Sequence, residues 1–147
     1  MKIIEIKILR GPNYWSVRRP KLIQMKLDLE EMEHLPTNKI EGFKEKLEEL
    51  LPTLYEHRCS PGVPGGFLSR VAEGTWMGHV IEHIALELQT LAGMAMGFCR
   101  TRTTGKHGEY YVVFDYMEED AGVFAARSAF RLVQFLLDNS PYDLEGD

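Results

Sequence analysis

The sequence is poor in cysteine: it has two, Cys59 and Cys99, which are too few for a disulfide framework and do not form a C-x-x-C pair. Long apolar runs are also missing, and none approaches the length of a membrane span. The first residues, MKIIEIKILRG, alternate like a strand and lack the basic and then apolar regions of a signal peptide. We therefore expect a protein of the reducing cytoplasm without a membrane segment.

Basic charge is not in excess either, because 17 Lys and Arg residues face 22 Asp and Glu residues and give a formal net charge of −5. A duplex nucleic-acid binder would normally carry a dominant basic face, so the charge balance disfavours that class. No G-x-x-x-x-G-K-[ST] or G-x-G-x-x-G loop follows a predicted strand, and we expect no nucleotide site in this chain.

The overall composition is that of a globular protein, with 147 residues of which 44% are hydrophobic and 27% are charged. A chain of this length can form one domain with a substantial core and is too short for two. We predict a single domain over residues 1–139, with residues 140–147 as a linker or a cut end.

Alternation with a period of two residues predicts strands at residues 2–9 and 21–29, which should pair antiparallel. Two further strands are predicted at residues 96–103 and 109–117. The expected inward faces of the first pair are Ile4, Ile6 and Ile8 in one strand, and Ile23, Met25, Leu27 and Leu29 in the other.

Helical periodicity begins at Phe43, and Pro52 should force a kink or a new start. A short helix is expected at residues 68–73, and the next should be capped by Thr75 and end at Gly93. A long helix is expected at residues 119–138. The expected apolar stripes are Phe43, Leu47, Leu50, Leu51 and Leu54; Trp76, Met77, Val80, Ile81, Ile84, Leu88 and Leu91; and Phe124, Ala125, Ser128, Leu132, Phe135 and Leu136.

The order of these elements predicts an α+β fold, in which helices pack on one face of a mainly antiparallel sheet of about four strands. Within the third helix, residues 78–88 read GHVIEHIALEL and contain the pattern H-x-x-E-H. Histidines at i and i+4 lie side by side on a helix, so His79 and His83 can bind one zinc ion. Glu82 can then take a proton from a water whose pKa the metal has lowered.

A less specific reading of the same pattern is that these residues form a solvated helix edge, or that a histidine is buried with one hydrogen-bonding partner. The spacing alone leaves both readings open. A metal site also needs a further ligand, for which Cys59 is the best candidate because it lies in the Gly- and Pro-rich loop before the helical region. Cys59 is equally compatible with a small buried side chain, and His57 competes for the ligand role.

Four further residues that could bind a metal are given other roles: Glu87, Cys99, His34 and His107. Glu87 is about 12 Å from His79 by helical rise, so it fits better as a partner that orients His83. Cys99 is expected in the core. His34 and His107 lie in polar loops and are expected to be solvated.

Two segments combine basic with aromatic residues: GPNYWSVRRPK, residues 11–21, and RTRTTGK, residues 100–106. Trp15, Arg18, Arg100 and Arg102 in these segments are candidates for binding an anionic polymer. Solvated strand ends explain the same pattern.

Four segments together resemble one family. These are LRGPNYWS at residues 9–16, EHRCSPGVPGGF at 56–67, EGTWMGHVIEHIALELQ at 73–89 and GFCRTR at 97–102. Their order and sequence are similar to the N-terminal domain of cyanophycin synthetases, over nearly the whole chain from residue 1 to about residue 139. Separate blocks in the same order are far more specific than H-x-x-E-H alone.

The resemblance implies that the family builds multi-L-arginyl-poly-L-aspartate, a nitrogen-storage polymer, with ATP-grasp and Mur-ligase-like domains that follow this one. Neither lies within these 147 residues, so the chain alone should not be a ligase. The resemblance further implies a metallopeptidase-like site that cuts cyanophycin into short primers. That site would map onto His79, Glu82 and His83, with Cys59 as the added zinc ligand.

Three hypotheses follow for the function of this chain. The first is a zinc-dependent hydrolase, in which acidic residues near the cleft receive the substrate's arginines and Arg100 or another basic residue faces its carboxylates. The second is a non-catalytic module that binds cyanophycin or scaffolds the homo-oligomer expected of the full-length enzyme. The third is a purely structural domain. Metal content and cleavage of the polymer distinguish the three.

Overall fold

The structure is a computed structural model that describes residues 1–57, 65–94 and 96–140. Within these residues, four strands form one antiparallel sheet in the order β1-β2-β4-β3. The strands are β1 (Lys2–Leu9), β2 (Leu22–Asp28), β3 (Cys99–Thr103) and β4 (Glu109–Asp115). The helices are α1 (Phe43–Leu50), α2 (Gly66–Glu73), α3 (Met77–Leu91) and α4 (Glu119–Asp138). The predicted α+β fold with an antiparallel four-stranded sheet is confirmed.

Strand β2 has the predicted inward face, because Ile23, Met25 and Leu27 are fully buried. The prediction for β1 is wrong at Ile4, which is exposed. The pairing of β1 with β2 shifts register between Ile3 and Glu5, and such a bulge reverses the side-chain phase on one side of it. As a result Ile3 joins Ile6 and Ile8 against the core.

Helix α4 has the predicted bounds, but its buried face differs from the predicted stripe. Phe124 and Phe135 are exposed. An added Cβ at Gly122 would lie 2.9 Å from the Cβ of Tyr116, so α4 approaches this part of the fold too closely for a larger residue. The buried face consists mainly of small and aliphatic residues: Gly122, Ala125, Ala126, Ala129, Val133, Leu136 and Leu137.

The segments before α3 largely follow the predictions. Helix α1 ends at Leu50, and Pro52 starts a separate 3-10 turn, Pro52–Glu56. Leu50 itself is exposed, contrary to the predicted stripe. Helix α2 begins at Gly66, two residues earlier than expected.

Helix α3 differs from the prediction at its first turn. Its N-cap is Trp76, and Thr75 does not cap the helix; the Thr75 hydroxyl bonds to Nδ1 of His79 at 2.9 Å instead. Trp76 and Leu91 are exposed and do not belong to the buried stripe. Gly93, with φ of +89°, follows the helix end as predicted.

Helix α3 packs against β3 and β4, while α4 packs against α3, β1 and β2. The close approach of α3 to β3 depends on Gly78, because an added Cβ there would lie 2.8 Å from Cγ2 of Thr101. This contact positions the histidine-bearing face of α3 against the edge of the sheet.

No helix in the described residues is long and apolar enough to cross a membrane. Of the predicted linker at residues 140–147, the structure describes Ser140, which is buried and bonds to Nζ of Lys46 at 3.0 Å. The other residues of that segment lie outside the described part of the chain, so the linker stays a prediction.

Candidate metal centre

Helix α3 brings His79, Glu82 and His83 together beside β3. One ligand atom from each of these side chains lies within 4.8 Å of the other two. The cluster is more buried than an edge position suggests, since Glu82 and His83 are each 5% exposed. Titratable groups at this depth need partners, and the surrounding contacts define what the cluster can do.

Strand β3 holds the carboxylate of Glu82. The hydroxyl of Thr101 donates to Oε2 at 2.6 Å, and Oε1 lies 3.9 Å from Nε2 of His79. Burial raises the pKa of Glu82 to about 7, although hydrogen bonds from Thr101 and Cys99 and the charge of Arg100 act in the opposite direction. A carboxylate with this pKa can both accept and release a proton near neutral pH, as a general base must.

Both histidines of the pattern are held in the neutral form. Burial, followed by the charge of Arg70, lowers the pKa of His79 to about 4. Burial also holds the pKa of His83 well below its usual range, and the neighbouring His79 and His57 add to this effect. Metal binding requires a neutral imidazole with a free lone pair, so the environment favours the ligand form of both side chains.

The Nδ1 atoms of both histidines have hydrogen-bonding partners. Nδ1 of His79 bonds to the Thr75 hydroxyl, and Nδ1 of His83 lies 3.0 Å from Nδ1 of His57. The Nε2 atoms point toward the cluster instead: that of His79 approaches Glu82, and that of His83 lies 4.0 Å from Sγ of Cys99. Nε2 is therefore the atom of each ring that faces the cluster.

His57 and Glu87 continue this network. Nε2 of His57 lies 3.0 Å from Oε1 of Glu87, whose Oε2 accepts a hydrogen bond from the Thr53 hydroxyl. A carboxylate only accepts, so Nε2 of His57 donates to Glu87. When His57 carries that proton alone, its Nδ1 lone pair faces His83. His83 then donates through Nδ1 and keeps the Nε2 lone pair. The predicted orienting role of Glu87 thus reaches His83 through His57, since Glu87 bonds to His57.

Phe67 forms an apolar wall of the cluster. Its ring stacks on that of His83 with a centroid separation of 4.1 Å and an interplanar angle of 17°. The same ring meets His79 edge-on at 5.3 Å. Because Phe67 is fully buried, it desolvates both imidazoles and contributes to their low pKa values.

Sequence reasoning missed the position of Cys99, which was expected in the core. Its side chain is half-buried, lies against His83 and is hydrogen-bonded to Glu82. The alternation of β3 was the available signal, since it puts Cys99 and Thr101 on the face toward α3. Cys59, the predicted further ligand, lies outside the described residues, so that role stays a prediction.

Two cavities adjoin the cluster, and His79 and Glu82 line both. One has a volume of about 710 Å³ and also contacts Arg70, Trp76 and Thr101. The other has a volume of about 550 Å³, and its lining includes His57, His83, Cys99 and Arg100. A ligand in either cavity can therefore contact His79 and Glu82.

The four predicted polymer-binding residues do not lie together. Arg100 lines the cavity beside the cluster. Arg102 and Trp15 line a separate groove of about 340 Å³ on the sheet face opposite the helices, with Tyr111 at its base. Arg18 is exposed, and its backbone N–H bonds to the Ser16 hydroxyl at 3.2 Å.

Residues 24–138 match the family of cyanophycin synthase-like N-terminal domains. The cyanophycin synthetase of Synechocystis sp. is 57% identical over 144 residues, which cover 98% of this chain and 16% of that protein. Those of Trichormus variabilis and Geminocystis herdmanii are also 57% identical, over 150 and 145 residues that cover 100% and 99% of this chain and 17% of each relative. The chain thus spans about a sixth of the length of these relatives, and it belongs to the cyanophycin synthase-like N-terminal domain family.

Proposed function

We propose that this chain is a zinc-dependent hydrolase domain that cuts cyanophycin into short segments, which then prime cyanophycin synthesis. The observation that carries the proposal is the buried cluster of His79, Glu82 and His83, in which both imidazoles are neutral and the pKa of the carboxyl is about 7. A structural helix does not need a carboxyl with this pKa between two neutral imidazoles.

The donor set suits zinc, which accepts imidazole nitrogen and thiolate sulfur. His79 and His83 would hold the ion through Nε2, and Cys59, two residues along the chain from His57, is proposed as the further ligand. When bound, zinc supplies a Lewis acid that polarises the amide carbonyl and lowers the pKa of a water. Another divalent ion with similar preferences would bind the same donors.

The residues of this chain carry the proton transfers and the positioning. Glu82 accepts the proton of the attacking water and passes it to the nitrogen that leaves when the amide bond breaks. Thr101 fixes one oxygen of Glu82 and leaves the other directed at His79. Thr75 and His57 fix the ring orientations of His79 and His83, and Glu87 fixes His57.

Substrate recognition is proposed to use charge. Arg100 lines the cavity that contains His83 and Cys99, so it can pair with a carboxylate of the polymer beside the cluster. The arginyl groups of the polymer would meet acidic side chains at the cavities, where Glu33 and Glu56 are available. No nucleotide is proposed for this chain.

A second candidate function, non-catalytic binding of cyanophycin or scaffolding of an oligomer, is favoured by the groove on the outer sheet face. Trp15 packs edge-on against Tyr111, with ring centroids 5.7 Å apart, and Arg102 borders the same groove. Lys26 lies over Tyr111 at 5.6 Å and adds positive charge. This surface suits an anionic chain and uses none of the residues of the metal cluster.

The proposed partners of this chain follow from the length of the relatives, of which it covers about a sixth. We propose that it acts beside the ATP-grasp and Mur-ligase-like domains of a full-length cyanophycin synthetase and within a homo-oligomer. Primers released at the cluster would then be extended by those domains.

The test is to incubate the zinc-loaded chain with cyanophycin and to analyse the products by mass spectrometry. Glu82→Gln should abolish cleavage while zinc content is retained, and Glu73→Gln, which changes an exposed carboxylate of α2, should cleave normally. Unchanged cleavage by Glu82→Gln would overturn the hydrolase proposal. Polymer binding that Arg102→Gln weakens, with neither metal nor cleavage, would support the second function.

A further inference from the structure

A second group of metal-ligating side chains lies outside the centre described above. His34 ends the 3-10 turn Glu30–His34, and His107 lies in the connection from β3 to β4. Both rings are exposed, at 66% and 78%, as the sequence predicted. They nevertheless converge on Oε1 of Glu33, with Nε2 of His34 at 3.3 Å and Nδ1 of His107 at 3.0 Å.

Glu33 is fixed by contacts that do not involve the two histidines. The backbone N–H of Gly108 donates to Oε2 at 2.7 Å, and the hydroxyl of Tyr110 is hydrogen-bonded to the same carboxylate. The carbonyl of Gly108 in turn accepts a hydrogen bond from the N–H of Leu29 at 2.7 Å. These bonds tie the β3–β4 connection to the start of the 3-10 turn, so Oε1 and the imidazoles are presented by two joined segments.

The separations between the donor atoms suit a common ion. Ligand atoms 2.0–2.1 Å from a tetrahedral zinc stand about 3.3 Å from one another. The distances from Oε1 of Glu33 to the two ring nitrogens, 3.3 and 3.0 Å, are close to that value. All three donor atoms lie within 4.8 Å of one another. Two imidazoles and one carboxylate form a donor set that divalent transition metals use widely.

We propose that Glu33, His34 and His107 form a second site for a divalent zinc-type ion, separate from the cluster on α3. Glu33 and His34 line the same cavity of about 710 Å³ as His79 and Glu82. Because both histidines are exposed, the ion would sit at the mouth of this cavity with open coordination positions. The proposal does not depend on hydrolase activity, since it uses none of the residues proposed to hold the catalytic zinc or to transfer protons; Glu33 is shared only as an acidic group at the cavity that could meet an arginyl group of the polymer.

The experiment measures zinc binding by equilibrium dialysis of the chain, with metal content determined by mass spectrometry. His34→Gln/His107→Gln should lose one equivalent of zinc relative to the unmodified chain, while the unfolding temperatures of the two metal-free proteins, measured in a chelator, are equal because both side chains are exposed. Glu31→Gln and Lys106→Gln are matched controls on exposed neighbouring positions and should keep full stoichiometry. Equal stoichiometry in the histidine double variant and the unmodified chain would overturn the proposal.

A second measurement separates this site from the centre on α3. In proton NMR spectra of the chain titrated with zinc, the ring signals of His34 and His107 should shift together, and Glu33→Gln should remove that shift. Loss of one equivalent in His79→Gln/His83→Gln but not in His34→Gln/His107→Gln would overturn the second site and leave the hydrolase centre standing. Loss of one equivalent in His34→Gln/His107→Gln but not in His79→Gln/His83→Gln would overturn the zinc site on α3 and support the second site.

Discussion

The Nδ1 atoms of His57 and His83 lie 3.0 Å apart, so the end of a 3-10 turn and the middle of α3 share one proton between two rings. Glu87 accepts from the other nitrogen of His57, so when His57 carries a single proton the shared proton belongs to His83. This arrangement selects the tautomer of His83 that keeps its Nε2 lone pair. It acts through Nδ1 and not through the Nε2 side of the ring, which faces the cluster.

We expect His57→Phe to weaken zinc binding at the α3 centre about 10–100-fold, because it removes the acceptor that orients His83 and selects its tautomer. Competition with a chromophoric chelator measures this affinity. Tyr55→Phe, on the same 3-10 turn, is the control and should bind zinc normally. An affinity of His57→Phe equal to that of the unmodified chain would contradict the tautomer argument.

We expect Glu82→Gln to stabilise the metal-free chain at pH 8 and to leave it nearly unchanged at pH 5. The pKa of Glu82 is raised in the folded chain to about 7 from 4.5, so folding favours the protonated form. The associated stability is complete below pH 4.5 and is lost as the pH rises through 7, which glutamine avoids. The gain at pH 8 should be about 1–3 kcal/mol.

Urea unfolding in the presence of a chelator, at both pH values, measures this difference in the free energy of unfolding. Glu73→Gln is the control for removing a carboxylate from an exposed position and should show no comparable dependence on pH. If Glu82→Gln raised the free energy of unfolding as much at pH 5 as at pH 8, ionisation of the Glu82 carboxyl would not be the cause of the stabilisation.

Thr101→Val should move the acidic limb of the cleavage profile to higher pH. The hydroxyl of Thr101 donates to Glu82 and lowers the pKa of that carboxyl, so its removal raises the pKa further and a higher pH is needed to form the base. Thr101→Ser keeps the hydroxyl and should retain the original limb. Coincident profiles of the two variants would show that the hydrogen bond does not set the pKa of Glu82.

Gly78→Ala should destabilise the fold by about 1–3 kcal/mol, since the new Cβ would lie 2.8 Å from Cγ2 of Thr101 and push α3 away from β3. It should also weaken zinc binding, because Glu82 and the histidines follow α3. Gly97→Ala is a matched control: an added Cβ there meets nothing within 4 Å. Thermal unfolding compares the two variants, and equal effects would argue against close packing at Gly78.

The sequence predicts the fold well where periodicity is long and regular. The bounds of α4 and the buried face of β2 are confirmed because many residues repeat the same pattern. The prediction fails at Ile4, where a bulge reverses the phase, and at Phe124, because α4 packs through small residues instead of its large aromatic ones. Neither bulges nor close helix approach are visible in the hydrophobicity of a single segment.

Some residues of the candidate site could likewise be predicted from the sequence, and others could not. Helical spacing alone places His79, Glu82 and His83 together, since they lie within one turn and a half of α3. Thr101 and Cys99 reach the cluster through the packing of α3 on β3, which a local pattern does not encode. The convergence of His34 and His107 on Glu33 likewise joins positions more than 70 residues apart, so local polarity predicts only their exposure.

Phe67 belongs both to the hydrophobic core and to the wall of the cluster of His79, Glu82 and His83, because it is fully buried and stacks on His83. The cluster therefore forms only when the core around α2 is packed, so binding of the proposed metal would be thermodynamically linked to folding. An ion that binds only the folded chain adds about 2.7 kcal/mol to the free energy of unfolding when present at 100 times its Kd. The metal would thus act as a reporter of core integrity, and variants of the core would lower apparent affinity without touching a ligand.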